Sequence, residues 1–378
     1  MTTPGSGRWL RVEPAWPARA TRRRPRYWHE IPARRDRRGA SGATAGAGAG
    51  SVASAAFRAT EALRSTTPTA SSSTKFADGW FVIRAKDTSL VGSRVVSIGG
   101  APIDQVEAVL RPLVPFDNES GELDSIQALL PWVEYLHGAG IVDDFAKPSF
   151  VLEQPDGARV TVDPAVTDEP TWEQELGILG GLTGDGPEAV ARRGEPIWTR
   201  RDEPSSTFLI SINDYTEVGL PEATAAMTAA FDDGSADRVA LDMRYLRGGS
   251  GEGAFGLVDA FGADPRIDRP GGLTVLIGRE NVSVATLLVA ALEGQTQATL
   301  VGEQTPARAD NFRCDCQDIL LPNSGYTVTV PTYVSGTGDT RDSIEPDVPM
   351  ALTAADFFAG DDPVLDAVLS GSMPSPAP

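Results

Sequence analysis

Lysine and histidine are scarce: 378 residues hold three lysines, Lys75, Lys86 and Lys147, and two histidines, His29 and His137, against 30 arginines. None of the five lies beyond residue 147, so a general base in the second half is a carboxylate or comes from elsewhere in the chain. Two cysteines, Cys314 and Cys316, exclude a disulfide framework and a self-contained four-cysteine zinc site. No uninterrupted apolar run reaches the roughly eighteen residues a membrane-spanning helix needs, so an integral membrane segment is excluded. A formal charge of -19 argues against nucleic acid and anionic membrane as partners. With 41% hydrophobic residues, 39 glycines and 29 prolines, the chain is neither wholly disordered, collagenous nor a coiled coil. Its length allows one large domain or two.

What is present is unevenly spread. Residues 1–40 carry eleven arginines and three acids, leaving a net charge of -27 on the rest. The basic start lacks apolar periodicity and runs into GASGATAGAGAGSVASAAF, so residues 1–74 are expected to be disordered. As an export signal that stretch offers only a Gly/Ala apolar part, and no compartment follows from it. Order is expected from Lys75. Strand, turn and amphipathic helix follow through DGWFVIRA, SRVVSIGG and PIDQVEAVLRPL, with a hairpin turning at Pro155–Asp156–Gly157, to about residue 165. Residues 166–204, acidic and rich in Gly and Pro, read as a linker. From 207 strands alternate with helices, which predicts an α/β layer on a largely parallel sheet, closed by two short helices from Ala354 and Pro363. Residues 371–378 are expected to be a disordered tail.

Two segments could carry chemistry. VLIGRENVSVATLLVAALEG places Ser283 between a buried strand and a helix, where open α/β sheets present ligand sites. The helix start, with Val284 first, offers unpaired N–H groups to a developing oxyanion. On spacing alone an N-cap explains this serine better. LDMRYLRGGSGEG ends another strand, and Gly248 and Gly249 let backbone N–H groups approach a carbonyl; an ordinary glycine turn explains them as well. His137 ends a helix, where a surface histidine is unremarkable. Cys314 and Cys316 read as unpaired thiols, and no metal or organic cofactor is implied.

In their order and spacing these segments resemble the tail-specific, or C-terminal-processing, serine peptidases, tricorn-type relatives included. The family's Asp-Leu-Arg-x-Asn-x-Gly-Gly strand end matches Asp242 to Gly249, Ser283 occupies the nucleophile's place, and Gly-Glu-x-Thr matches Gly302–Thr305. The resemblance covers about 76–165 and 205–370. It implies a crotonase-like α/β peptidase core over 205–370, preceded by a PDZ-like lobe over 75–165. It also implies catalysis by Ser283, backbone oxyanion donors at Gly248, Gly249 and Val284, and unstructured or C-terminal peptide segments of proteins as partners. Asp242 becomes structural.

The catalytic motifs are degenerate. The base lysine of the bacterial branch is replaced by Arg308, which cannot take a proton at neutral pH. The tricorn-type upstream histidine is absent, the glutamate position is Thr340 flanked by Asp339 and Asp342, and the motif asparagine is Leu246. His29 lies in the basic segment, and His137 remains a weak substitute base. Three readings stay open: a serine-type peptidase impaired for want of a base, a catalytically inactive member that binds peptides, and a product lacking its authentic N-terminus.

Overall fold

The computed structural model describes residues 57–58, 69, 71–165, 186–214, 219–248, 252–309, 311–323, 325, 327–335 and 339–374. The expectations for 1–56, 166–185, Gly249 and 375–378 lie outside the described residues.

A first lobe follows the two-residue strand β1 (Phe57–Arg58). It contains β2 (Ser71–Phe76), β3 (Gly79–Ala85), β4 (Arg94–Ile98), β5 (Ala101–Pro102), β6 (Phe150–Glu153) and β7 (Arg159–Val162). Its helices are α1 (Ile103–Leu110), α2 (Glu119–Leu129) and α3 (Val133–Gly138). The sheet runs β2-β3-β4-β6-β7, with β5 on β4. The sequence alternates as a half-buried strand must: Trp80 and Val82 of β3 enter the lobe's own core with Ile98, Val106, Ile126 and Leu152. Ile83 points the other way, into a cluster shared with the second lobe. One strand therefore serves two cores.

The second lobe contains α4 (Glu188–Ala191), β8 (Ile197–Asp202), β9 (Thr207–Ile212), α5 (Leu220–Asp232), β10 (Arg238–Asp242), α6 (Phe255–Ala263), β11 (Leu273–Ile277) and α7 (Val284–Gln295). After these come β12 (Thr299–Gly302), β13 (Asn311–Leu320), β14 (Thr327–Ser335), β15 (Val348–Pro349), α8 (Ala354–Ala359) and α9 (Pro363–Ser370). The central sheet runs β15-β12-β11-β10-β9-β8, parallel except for β8. Phe208, Ile210, Val239, Leu241, Val275 and Ile277 pack under α5, α6 and α7. Their alternates Leu209, Ala240, Leu276 and Val301 pack under α8 and α9. Both faces are covered, which is why these strands read as continuous apolar runs rather than alternating ones.

Two expectations are corrected. Strand β2 begins at Ser71, and β1 pairs with β14, so folded structure starts inside the segment 1–74 read as disordered. Apolar periodicity missed β2 because hydroxyls fill its buried positions: Ser71, Ser73 and Thr74 are all buried, and Thr74 bonds Gln127. Strand β8, inside the supposed linker 166–204, pairs along its whole length with β9, so the main sheet starts before residue 205. The strand within GYTVTVPTYV, β14, joins β13 and β1 in a separate antiparallel sheet.

Candidate active site

The buried strands β10 and β11 run side by side, paired from Val239↔Leu273 to Asp242↔Leu276, and both candidate segments leave their carboxyl ends. The ladder's last link is Met243 N–H to the Leu276 carbonyl, 3.0 Å. From there one chain turns through residues 243–248 and the other loops through 278–283 into α7.

Ser283 is exposed and precedes the first residue of α7, with φ 57° and ψ -123°. A capping serine takes an extended backbone and accepts an N–H bond through its side chain. Ser283 does neither: its backbone is in the positive-φ region that non-glycine residues avoid, and its hydroxyl makes no capping bond. Such a conformation costs about 1–3 kcal/mol and survives only where the surroundings impose it. Capping therefore does not explain this serine.

The 243–248 turn lies directly against it. A Cβ built on Gly248 would stand 2.5 Å from Ser283 Cβ and 3.0 Å from its Oγ, so only glycine lets the turn come this close. Gly278 is likewise tight, with the Arg244 carbonyl 3.1 Å from its would-be Cβ. The two segments are joined by Asn281, a fully buried residue the sequence reading passed over. Its Nδ2 donates to the carbonyls of Met243 (2.6 Å) and Leu246 (3.0 Å), and its Oδ1 accepts from Gly278 N–H (2.8 Å). In the sequence Asn281 stands among Arg279, Glu280 and Ser283, so nothing there set it apart.

Around this pair lies a charged frame. Asp242 is structural: Arg244 binds it through Nε and Nη2 (3.0 and 2.7 Å) and binds Asp362 through Nη1 and Nη2 (2.9 and 2.6 Å), all three buried. Arg247, beside Gly248, reaches Asp124 of α2 at 2.6 Å and Glu280 at 3.6 Å, and Glu280 is also held by Arg193. Burial pushes the Asp124 carboxyl up to about 6; Arg247 opposes this and Glu280 adds to it. A shallow cleft opens at the same strand ends, lined by Phe76, Asp124, Tyr245, Arg279, Glu303 and Leu352 among others. Ser283 is not part of its lining.

The first lobe also grips the segment after β12. Asn118 Nδ2 donates to the carbonyls of Thr305 (3.0 Å) and Asp342 (2.7 Å), and Ser120 Oγ donates to that of Gln304 (3.1 Å). Arg308 gives its backbone N–H to Asp117 (3.2 Å), and its guanidinium lies 3.7 Å from Asp342. His137 is exposed on α3, its Nδ1 2.8 Å from the Val142 carbonyl and its ring on Phe145. Thr340 is exposed. Among the described residues no side chain hydrogen-bonds the Ser283 hydroxyl. The structure thus brings Ser283, Gly248 and Val284 together and leaves His137 with partners in its own lobe.

A parallel α/β sheet with a mixed lobe packed against it is a fold that known structures share. Mature CPAF complexed with lactacystin is similar over 81% of this chain and 83% of its own, with a TM-score of 0.58 at 15% identity. A serine-to-alanine mutant of CPAF gives 0.54 over 80% and 82%, also at 15% identity. The photosystem II D1 C-terminal processing protease matches at 0.32 and 13% identity, over 77% of this chain and 74% of its own. The two CPAF structures show a shared fold. No protein-family model and no curated protein sequence matches the chain.

Proposed function

We propose that this chain is a serine-type peptidase of the tail-specific family, with a crotonase-like core and a PDZ-like lobe, working slowly because no base stands at its nucleophile. The observation that carries the reading is Ser283 itself: exposed, strained, not capping, and pressed against Gly248. In this mechanism Ser283 Oγ attacks a peptide carbonyl, losing its proton to solvent, while N–H groups of Gly248, Gly249 and Val284 hold the oxyanion. Collapse breaks the C–N bond, the amine takes a proton from water, and a second water hydrolyses the acyl ester. Unstructured or C-terminal peptide segments are the substrates. A missing base typically lowers the rate about 10²–10⁴-fold. Donors and binding alone still leave roughly 10³–10⁴ over water.

A second reading is favoured by the fixed partners of Arg308 and His137: an inactive member that binds peptides by adding a strand to an edge of the first lobe's sheet, β2 or β7. A time course on an unstructured peptide separates the two. Slow cleavage that disappears in Ser283→Ala and persists in His137→Ala supports the peptidase. Saturable binding without cleavage, equal in wild type and Ser283→Ala, supports the binder. Turnover that persists in Ser283→Ala overturns the nucleophile assignment.

A further inference from the structure

Beyond Met243 the β10–β11 ladder ends, yet five residues later Gly248 meets Ser283 with no space for a methyl group. Something must hold the two segments in register across that gap. Asn281 sits in it. Two donors of one planar amide go to the carbonyls of Met243 and Leu246, at the start and middle of the turn, while its oxygen is fixed by Gly278 N–H at the base of the serine loop. Its backbone is anchored as well: Thr286 Oγ1, on the first turn of α7, donates to the Asn281 carbonyl at 2.5 Å, and Asn281 N–H donates to the Gly278 carbonyl at 3.1 Å. Every polar atom of this fully buried residue is therefore used, and the three elements that it joins are β11, the 243–248 turn and α7.

Chemistry narrows the residue type. Two backbone carbonyls must be given hydrogens, so the side chain needs two donors. One backbone N–H must be received, so it also needs an acceptor in the same plane. Asn and Gln alone carry that set uncharged, and Gln is one methylene too long for a gap with no free volume. An aspartate would turn two acceptors against a carboxylate. Leu246 marks the position where the motif asparagine is missing, and it is the Leu246 carbonyl that Asn281 reaches from the opposite segment.

We propose that Asn281 is the positioning residue of the Ser283 site, setting the distance between the nucleophile and the backbone donors of the Gly248 turn. The proposal rests on the reading of Ser283 as nucleophile. It acts through geometry, and a displacement near 1 Å between reacting groups costs about a hundredfold in rate.

The test measures acetylation of Ser283 by p-nitrophenyl acetate, located by peptide mass, in wild type, Ser283→Ala, Asn281→Ala and Asn281→Ser. In the reaction Ser283 Oγ bonds the acetyl carbon, p-nitrophenolate leaves and the serine proton goes to water. Both Asn281 variants are expected to lower the saturating rate about a hundredfold and to leave the half-saturating ester concentration unchanged. Amide hydrogen exchange provides an arm independent of reactivity: protection falls over 243–248 and 282–286 and stays at wild-type level in β8 and β9. Unchanged exchange in the two segments overturns the proposal, as does acetylation at the wild-type saturating rate. Loss of protection throughout the core makes Asn281 merely structural and also overturns it. Absence of Ser283 acetylation in wild type removes the peptidase reading, and the exchange arm then decides Asn281 alone.

Discussion

Arg247 of the second lobe and Asp124 of the first are joined by an ion pair of 2.6 Å, one residue away from the glycine that touches Ser283. Desolvation outweighs the arginine, so the Asp124 carboxyl is raised from its ordinary 3.8 to about 6. The sign follows from linkage. Between those values the folded chain holds a proton that the unfolded chain has lost, so this group's contribution to stability falls as pH rises. Asp124→Asn removes the titration while keeping the shape. The stability of wild type relative to Asp124→Asn is expected to drop by up to about 3 kcal/mol between pH 4 and 6.5 and to stay flat above that. Denaturant melts of both proteins across that range check it; a difference that rises with pH contradicts the assignment.

Asp362 holds the other side of Arg244. The guanidinium is buried and divided between Asp242 and Asp362, so removing one carboxylate leaves a buried charge half compensated. Asp362→Ala is expected to cost about 3–5 kcal/mol, read as a lower denaturation midpoint with an unchanged slope. Asp362 also caps α9 by accepting from Leu365 N–H at 3.0 Å, and Asp362→Asn retains that bond while losing the charge. The asparagine variant should therefore fall between wild type and alanine. Equal stability of alanine variant and wild type would show that Arg244 finds water or another partner.

What could be read from the sequence was what depends on neighbours. The strands and helices from residue 207 are long apolar runs bounded by turns, and they signal themselves. Ser283 and Gly248 stood out because each ends a strand, and adjacent parallel strands put such ends side by side. What was missed either lacks an apolar run or depends on partners far along the chain. Strand β8, IWTRRD, fully buries only Trp198 and carries arginines because it is the sheet's edge. Helix α2 buries Ser120, Glu122 and Gln127 rather than a plain apolar stripe: Glu122 and Gln127 find Arg111 and Thr74 within their own lobe, while Ser120 reaches the Gln304 carbonyl and Asp124 reaches Arg247 of the second. Asn281 belongs to the same group, since its acceptors lie more than thirty residues earlier in the chain.

The contact between Gly248 and Ser283 makes a double-mutant cycle informative. Gly248 has no positive φ, so an alanine fits its backbone and the cost of Gly248→Ala is steric. Its methyl meets Ser283 Cβ, and the variant should lose about 1–3 kcal/mol of stability together with acetylation of Ser283. Ser283→Gly acts in the opposite direction, since glycine accepts the positive φ without strain. Part of that relief, roughly 1–3 kcal/mol, is offset by about 0.5–1 kcal/mol of extra chain entropy, giving a small net gain. It also removes the Cβ that the new methyl strikes, leaving the Val282 carbonyl at 3.4 Å as the next neighbour. The double variant Gly248→Ala/Ser283→Gly should therefore be more stable than Gly248→Ala alone by more than Ser283→Gly gains by itself, a coupling of at least about 1 kcal/mol. Urea melts of the four proteins measure it. Additive stabilities would mean that the turn and the serine do not press on one another, and with that the shared site would be lost.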